Sequence, residues 1–165
     1  MPAINHSQLN HKSHNTFKYL IPALVAIFFT IIISTQYRLS YAQDNVITVY
    51  KSASCGCCNN WISHLKENGF KVNSINSSNM TQIKDEKGIP IGARSCHTAT
   101  IGDYVIEGHV PAADINKLLA EKRSVAGLAV PGMPMGSPGM EGKKSDAYAV
   151  YEFDKQGRAR VVANY

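Results

Sequence analysis

The sequence predicts an α/β domain built on a mixed sheet, and three stretches carry that prediction. A β-branched run, Val46-Ile47-Thr48-Val49, leads into a helical pattern in which Cys58, Trp61, Ile62 and Leu65 stand at i, i+3, i+4 and i+7. Beyond Gly69, residues 70–75 alternate apolar and polar side chains as a strand does, so the first three elements form a β-α-β unit with parallel strands. Residues 98–101 and 104–107 flank Gly102-Asp103, a two-residue turn that predicts an antiparallel hairpin. Parallel and antiparallel pairs together make the sheet mixed.

The elements follow in order. Residues 46–51 read as a buried strand, apolar at its centre. The helix starting near Cys57 ends at Asn68-Gly69, where Gly69 supplies the left-handed cap. Residues 80–87 form a short, weak helix stopped by Gly88-Ile89-Pro90, and Met80 at its start is expected to pack. After the hairpin, Pro111 suits the first position of a helix. Asp114 sits in that helix's first turn and Lys122 and Arg123 in its last, as the macrodipole favours. Ala112, Ile115, Leu118 and Leu119 are its expected core face. The order is then β-α-β-α-β-β-α.

Residues 125–145 break the pattern. Within them Val130-Pro-Gly-Met-Pro-Met-Gly-Ser-Pro-Gly-Met-Glu141 is a Met/Pro/Gly-rich loop expected to form neither helix nor ladder. Ala147, Ala149, Tyr151 and Phe153 then alternate up to a turn at residues 154–157, and residues 158–162 return as a strand. The chain is thus expected to end in a C-terminal β-hairpin.

Residues 1–42 read as a separate segment. Lys12 and Lys18 with His6, His11 and His14 make a polar, basic opening, followed by an apolar run from Leu20 to Ile33. Ser40 and Ala42 place small residues at −3 and −1 of a cut before Gln43, the layout of a secretory signal peptide. The alternative is an N-terminal anchor in the inner membrane. Residues 19–35 give 17 positions, the low edge of the ~17–25 that span a bilayer. Either reading exports residues 43–165 as one domain, to the periplasm, and membrane attachment follows only if the leader is uncleaved.

Three of the 17 basic residues, Lys12, Lys18 and Arg38, belong to that leader, leaving 14 against 12 acidic residues. No basic cluster remains to form a phosphate-binding face, which argues against nucleic acid as a partner.

Cys55, Cys57 and Cys58 fall within four positions at a strand-to-helix junction, and Cys96 stands alone. Backbone N–H groups and the macrodipole at a helix start favour thiolate over thiol. In an oxidising compartment four cysteines are ordinarily two disulfides. Adjacent Cys57 and Cys58 cannot join without strain, so any two-disulfide scheme pairs Cys96 with Cys57 or Cys58. Thiolates gathered this way exchange disulfides or hold a soft metal; thiolate and thioether sulfur select Cu(I).

Cys55-x-x-Cys58 in a β-α-β-α-β-β-α order resembles the thioredoxin fold, in which the loop before the third strand faces the cysteine-bearing helix. Here that loop carries Cys96 and His97. The inserted Cys57, the Ser95-Cys96-His97-Thr98 and Glu107-Gly108-His109-Val110-Pro111 segments, and the methionine loop look like the CopG-like copper-resistance proteins, a family long described as a domain of unknown function. The resemblance covers roughly residues 46–163. It implies a thioredoxin-like mixed sheet and an exported protein that binds Cu(I) through the CxCC cysteines and neighbouring ligands. It also implies a role as a copper oxidoreductase, as proposed for such proteins, with copper ions and other periplasmic copper-handling proteins as partners.

The expected metal ligands are Cys55, Cys57, Cys58, Cys96, His97, His109, Met133, Met135 and Met140. The cysteines are close enough to bridge several coppers, so the copper is expected to be Cu(I) and multinuclear in some arrangements. A thioether carries no charge at any pH and stays available to Cu(I), which is why the loop methionines join the set. His64 follows Cys57 by seven residues, about 10.5 Å up the axis at 1.5 Å per residue, and is expected to be solvent-exposed and outside the site. The expected function is copper tolerance by sequestering, transferring or redox-cycling copper. The alternatives are a periplasmic thiol–disulfide oxidoreductase, or a structural zinc module on Cys55, Cys58, Cys96 and His97.

Overall fold

A computed structural model describes residues 21–22, 24–34 and 46–165 of the chain. The chain divides into two units, Met1–Ala42 and Gln43–Tyr165. In the first, residues 21–22 and 24–34 are helical, with apolar side chains such as Leu24, Phe28 and Phe29 exposed. Thr30 and Ser34 donate their hydroxyls back to the carbonyls of Ile27 and Ile31. No helix among the described residues is long and apolar enough to cross a membrane. The proposed cut before Gln43 lies outside the described residues.

The second unit is a mixed α/β sheet of seven described strands. In chain order these are β1 (Val46–Lys51), β2 (Lys71–Asn76), β3 (Thr98–Ile101), β4 (Tyr104–Glu107), β5 (Gly127–Ala129), β6 (Ala149–Phe153) and β7 (Ala159–Asn164). Helix α1 (Gly56–Glu67) joins β1 to β2, α2 (Met80–Glu86) follows β2, and α3 (Ala112–Glu121) joins β4 to β5. The spatial order is β2-β1-β3-β4-β5-β6-β7. β1 pairs parallel with β2 and antiparallel with β3, β3 antiparallel with β4, and β4 parallel with β5. The expected parallel unit, the hairpin at Gly102-Asp103 and the C-terminal hairpin β6–β7 are all present.

One strand was not expected. Residues 127–129 lie in the stretch expected to break the pattern, yet they form β5, wholly buried between β4 and β6. Three residues starting with Gly127 carry no period of their own; they are a strand because two neighbours leave an open slot. The slot is tight, since a Cβ on Gly127 would lie 1.8 Å from the Val105 carbonyl oxygen. The methionine loop also makes one ladder contact, a parallel bridge between Ser95 and Gly132.

The core has two sides because strand side chains alternate between faces. On one face Ile47, Val49, Ala99, Ile101 and Ile106 pack with Trp61 and Leu65 of α1 and Ile115 and Leu118 of α3. On the other lies a smaller cluster of Ile89, Ala93, Val105, Ala129 and Phe153. Thr98 and Glu107 are register partners and alternate with the first face, so they point to the second. There Lys84 of α2, its side chain 7% exposed, meets the wholly buried Glu107 at 2.5 Å. Removing one partner of such a pair typically costs about 3–5 kcal/mol, because the other charge is left unpaired.

Gly127→Ala is expected to lose about 3 kcal/mol, the upper end of overpacking costs, in chemical denaturation. Gly92→Ala, whose Cβ meets nothing within 4 Å, should stay within about 0.5 kcal/mol. Equal midpoints for the two variants would contradict the packing of β5.

Candidate metal centre

Four segments leave the sheet at the same end: the C-terminal ends of β1, β4 and β5, and the N-terminal end of β3. The pairing makes this unavoidable, because Tyr50 faces Thr98, Thr98 faces Glu107, and Glu107 faces Ala129. The CxCC turn, the Cys96-His97 loop, His109 and the methionine loop therefore converge.

Cys55 is the N-cap of α1 and makes no side-chain cap bond. Cys58 begins the helix's buried face as expected and is wholly buried, with Trp61, Ile62 and Leu65 beneath it. Cys55 and Cys58 are joined as a disulfide, while Cys57 and Cys96 are free thiols. Cys57 Sγ lies 3.6 Å from Cys55 Sγ, and Cys96 Sγ lies 3.7 Å from Cys58 Sγ. Across the same sulfur, Cys96 Sγ is 3.3 Å from His97 Nδ1 and 3.2 Å from His109 Nε2. Two groups thus have their donor atoms within 4.8 Å of one another: Cys55, Cys57, Cys58 and Cys96, and Cys96, His97 and His109.

The histidines are held differently. His109 Nδ1 lies 2.8 Å from the Pro138 carbonyl oxygen, which can only accept, so Nδ1 carries the proton and the Nε2 lone pair faces Cys96. A backbone carbonyl orienting a ligand imidazole is the usual support at metal sites. The His97 ring lies tilted at 39° against Trp61, with centroids 4.3 Å apart, and presents Nδ1 to Cys96, while its buried Nε2 has no hydrogen-bond partner among the described residues. Burial pushes the His97 pKa well below the ordinary value, and His109 and Lys84 add to it. Burial also lowers His109, against the opposing pull of the Pro138 carbonyl and Glu141. Neutral imidazoles are the form that ligates metal. The Cys96 thiol is pushed up to about 11, first by burial and then by Cys57.

His64 differs from expectation. It is half-buried, and its Nε2 accepts the Ala112 backbone N–H at 3.1 Å, satisfying one orphan donor at the start of α3. It still takes no part in either donor group. The three methionines ride the loop over α1. Met133 and Met135 are 53% and 37% exposed, and Met140 is half-buried. The loop is closed by Gly136 N–H to the Met140 carbonyl and Met140 N–H to the Ser137 carbonyl. It fits against α1 only through Gly139, whose Cβ would meet Trp61 N at 2.6 Å and Cys57 O at 2.9 Å.

Sequence reading missed the Pro138 carbonyl, which acts through main chain and leaves no residue-type signal. It also missed a role for Glu107, although a carboxylate in the inward position of a short strand is itself a signal.

Burial puts the Cys96 proton loss far above neutral pH, so little thiolate is present at pH 8. In disulfide-bonded, metal-free protein, alkylation of Cys96 should rise about tenfold per pH unit from 8 to 10, followed by peptide mass spectrometry. A plateau below pH 9 would contradict the burial effect.

The comparisons with known proteins agree with this geometry. The family model described as "Protein of unknown function, DUF411" matches residues 93–140, the span holding Cys96, His97, His109 and the three methionines. No curated protein matches. Two solved structures, both forms of a copper resistance protein CopG, are each 50% identical to the chain. Form 1 has a TM-score of 0.69 and covers 73% of this chain and 96% of its own. Form 2 has a TM-score of 0.70 and covers 73% and 97%.

Proposed function

The chain belongs to the CopG-like copper-resistance family, and on that premise we propose that it is an exported Cu(I)-binding protein serving copper tolerance. The observation that carries the proposal is Cys96 Sγ, within 3.7 Å of Cys58 Sγ and 3.2 Å of His109 Nε2. One sulfur is shared by a thiolate group and an imidazole group. Soft thiolates with neutral imidazoles suit Cu(I), and a sulfur between two groups suits a bridge between ions. Cys55, Cys57, Cys58 and Cys96 would hold copper on one side, and Cys96, His97 and His109 on the other. Met133, Met135 and Met140 would complete the site from the loop.

With the Cys55–Cys58 bond closed, two of the four sulfurs are withheld from full ligation. Two electrons and two protons open the bond to two thiols. In the other direction, two Cu(II) ions would take one electron each as the dithiol closes and releases two protons. That exchange gives copper redox cycling a route through the thiols. The same disulfide supports a second reading, thiol–disulfide exchange. In it the Cys96 thiolate attacks Cys58 Sγ, forms a Cys58–Cys96 bond and releases the Cys55 thiolate.

Export to the periplasm rests on the leader read from the sequence, with a retained anchor at residues 19–35 as the alternative. Intact mass of protein recovered from the cell envelope decides it. A chain beginning at Gln43 is expected, and full-length mass would overturn cleavage.

Reduced protein titrated with Cu(I) against a competing chelator should bind at least one copper per chain. Changing Cys55, Cys57 and Cys58 to Ser should lower the copper bound per chain, leaving at most the ion on Cys96, His97 and His109. Occupation of His97 should also quench Trp61, the chain's single tryptophan. Unchanged binding in the triple variant would overturn the CxCC copper site, and robust metal-free insulin reduction with no copper uptake would replace this reading by thiol–disulfide exchange.

A further inference from the structure

Glu107 lies outside both donor groups, yet its carboxylate is bonded to both ends of the segment that carries two of the proposed ligands. Oε1 accepts the Ser95 backbone N–H at 2.6 Å, and Oε2 accepts the Thr98 hydroxyl at 2.7 Å. Cys96 and His97 are the two residues between those anchor points. Lys84 completes the arrangement from α2, with Nζ 2.5 Å from Glu107 Oε1 and 3.0 Å from Thr98 Oγ1. The backbone repeats the grip, since Gly108 N–H donates to the His97 carbonyl at 3.0 Å. Ser95 is tied onward, its hydroxyl donating to the Gly132 carbonyl at the start of the methionine loop.

We propose that Glu107, locked by Lys84, is a positioning residue: a carboxylate clasp that sets the Ser95–Thr98 loop so that Cys96 meets the CxCC sulfurs and His109 together. The clasp stands on the opposite face of the sheet from the donor atoms. It therefore acts through the strand ends, without touching the metal. A buried ion pair adds little net stability over a packed apolar pair of similar volume, so its presence here fits a role in specifying geometry. Side chains that orient ligands typically change metal affinity 10–100-fold when removed. The inference rests on the proposed copper site for its metal readout, but the clasp itself is measurable without metal.

The test compares two neutral replacements in the full chain. Lys84→Met with Glu107→Gln removes both charges but leaves an amide able to accept from Ser95 N–H and donate to Thr98. Lys84→Met with Glu107→Leu removes the charges and the clasp together. Both are checked by chemical denaturation, then measured by Ser95 amide hydrogen exchange and Trp61 fluorescence in metal-free protein, and by Cu(I) competition after reduction.

The Gln variant should keep slow Ser95 exchange and bind copper within about threefold of the parent. The Leu variant, even where its stability equals that of the Gln variant, should exchange Ser95 at least tenfold faster and bind copper about 10–100-fold more weakly. Equal Ser95 exchange and equal copper affinity in the two variants would overturn the clasp. A parent protein that takes up no copper would sink the proposed function instead. In that case the Ser95 exchange data still decide the clasp by themselves. If the Leu variant does not fold, Thr98→Val with Lys84 and Glu107 intact opens one end of the clasp. It should weaken copper binding at least threefold, and no change would overturn the proposal.

Discussion

Everything at this site depends on one sulfur atom being held within bonding reach of three others' donors. Cys96 Sγ faces Cys58 Sγ at 3.7 Å, His97 Nδ1 at 3.3 Å and His109 Nε2 at 3.2 Å. Those partners come from α1, from the next residue in the loop, and from the segment after β4. Moving the loop by an ångström or two leaves two half-sites with nothing in common. The sheet prevents that, because Tyr50, Thr98, Glu107 and Ala129 sit side by side across four strands and all four chains turn off the sheet beyond them.

Burial then sets the chemistry. The imidazoles of His97 and His109 are kept uncharged because water is excluded from around them, and for His109 the Pro138 carbonyl also dictates which nitrogen carries the proton. The same exclusion makes the Cys96 thiol reluctant to ionise. In the proposed copper site a soft cation would supply the charge that makes a buried thiolate favourable, so metal entry and loss of the thiol proton would be one event. The Cys55–Cys58 bond adds a redox condition, because the thiolate group is complete only when it is open.

The methionine loop and the buried pair behind the sheet are the supports of this arrangement. Gly139 lets the loop lie against the backbone of α1, which brings the Pro138 carbonyl to His109. Lys84, Thr98 and Glu107 fill the equivalent place on the far face, where an apolar cluster is small and leaves room for polar groups that satisfy one another.

The sequence by itself determined the β-α-β unit, the hairpin at Gly102-Asp103, the helix after Pro111 and the CxCC cysteines at a helix tip. Each of these is encoded in neighbouring residues, as a period of apolar positions or a turn type. It also placed Cys96 opposite the cysteines, through the resemblance its motifs carry. Tertiary structure alone decided that Gly127-Leu128-Ala129 is a strand, that His64 caps α3, that Cys58 bonds Cys55, and that Glu107 grips both ends of the Ser95–Thr98 loop. In each case the deciding partner lies elsewhere in the fold or is a main-chain atom: an open slot between strands, an orphan N–H, a carboxylate twelve residues from the amide it accepts. Residue type records what a side chain is able to do, and only the folded chain determines which group stands close enough for it to be done.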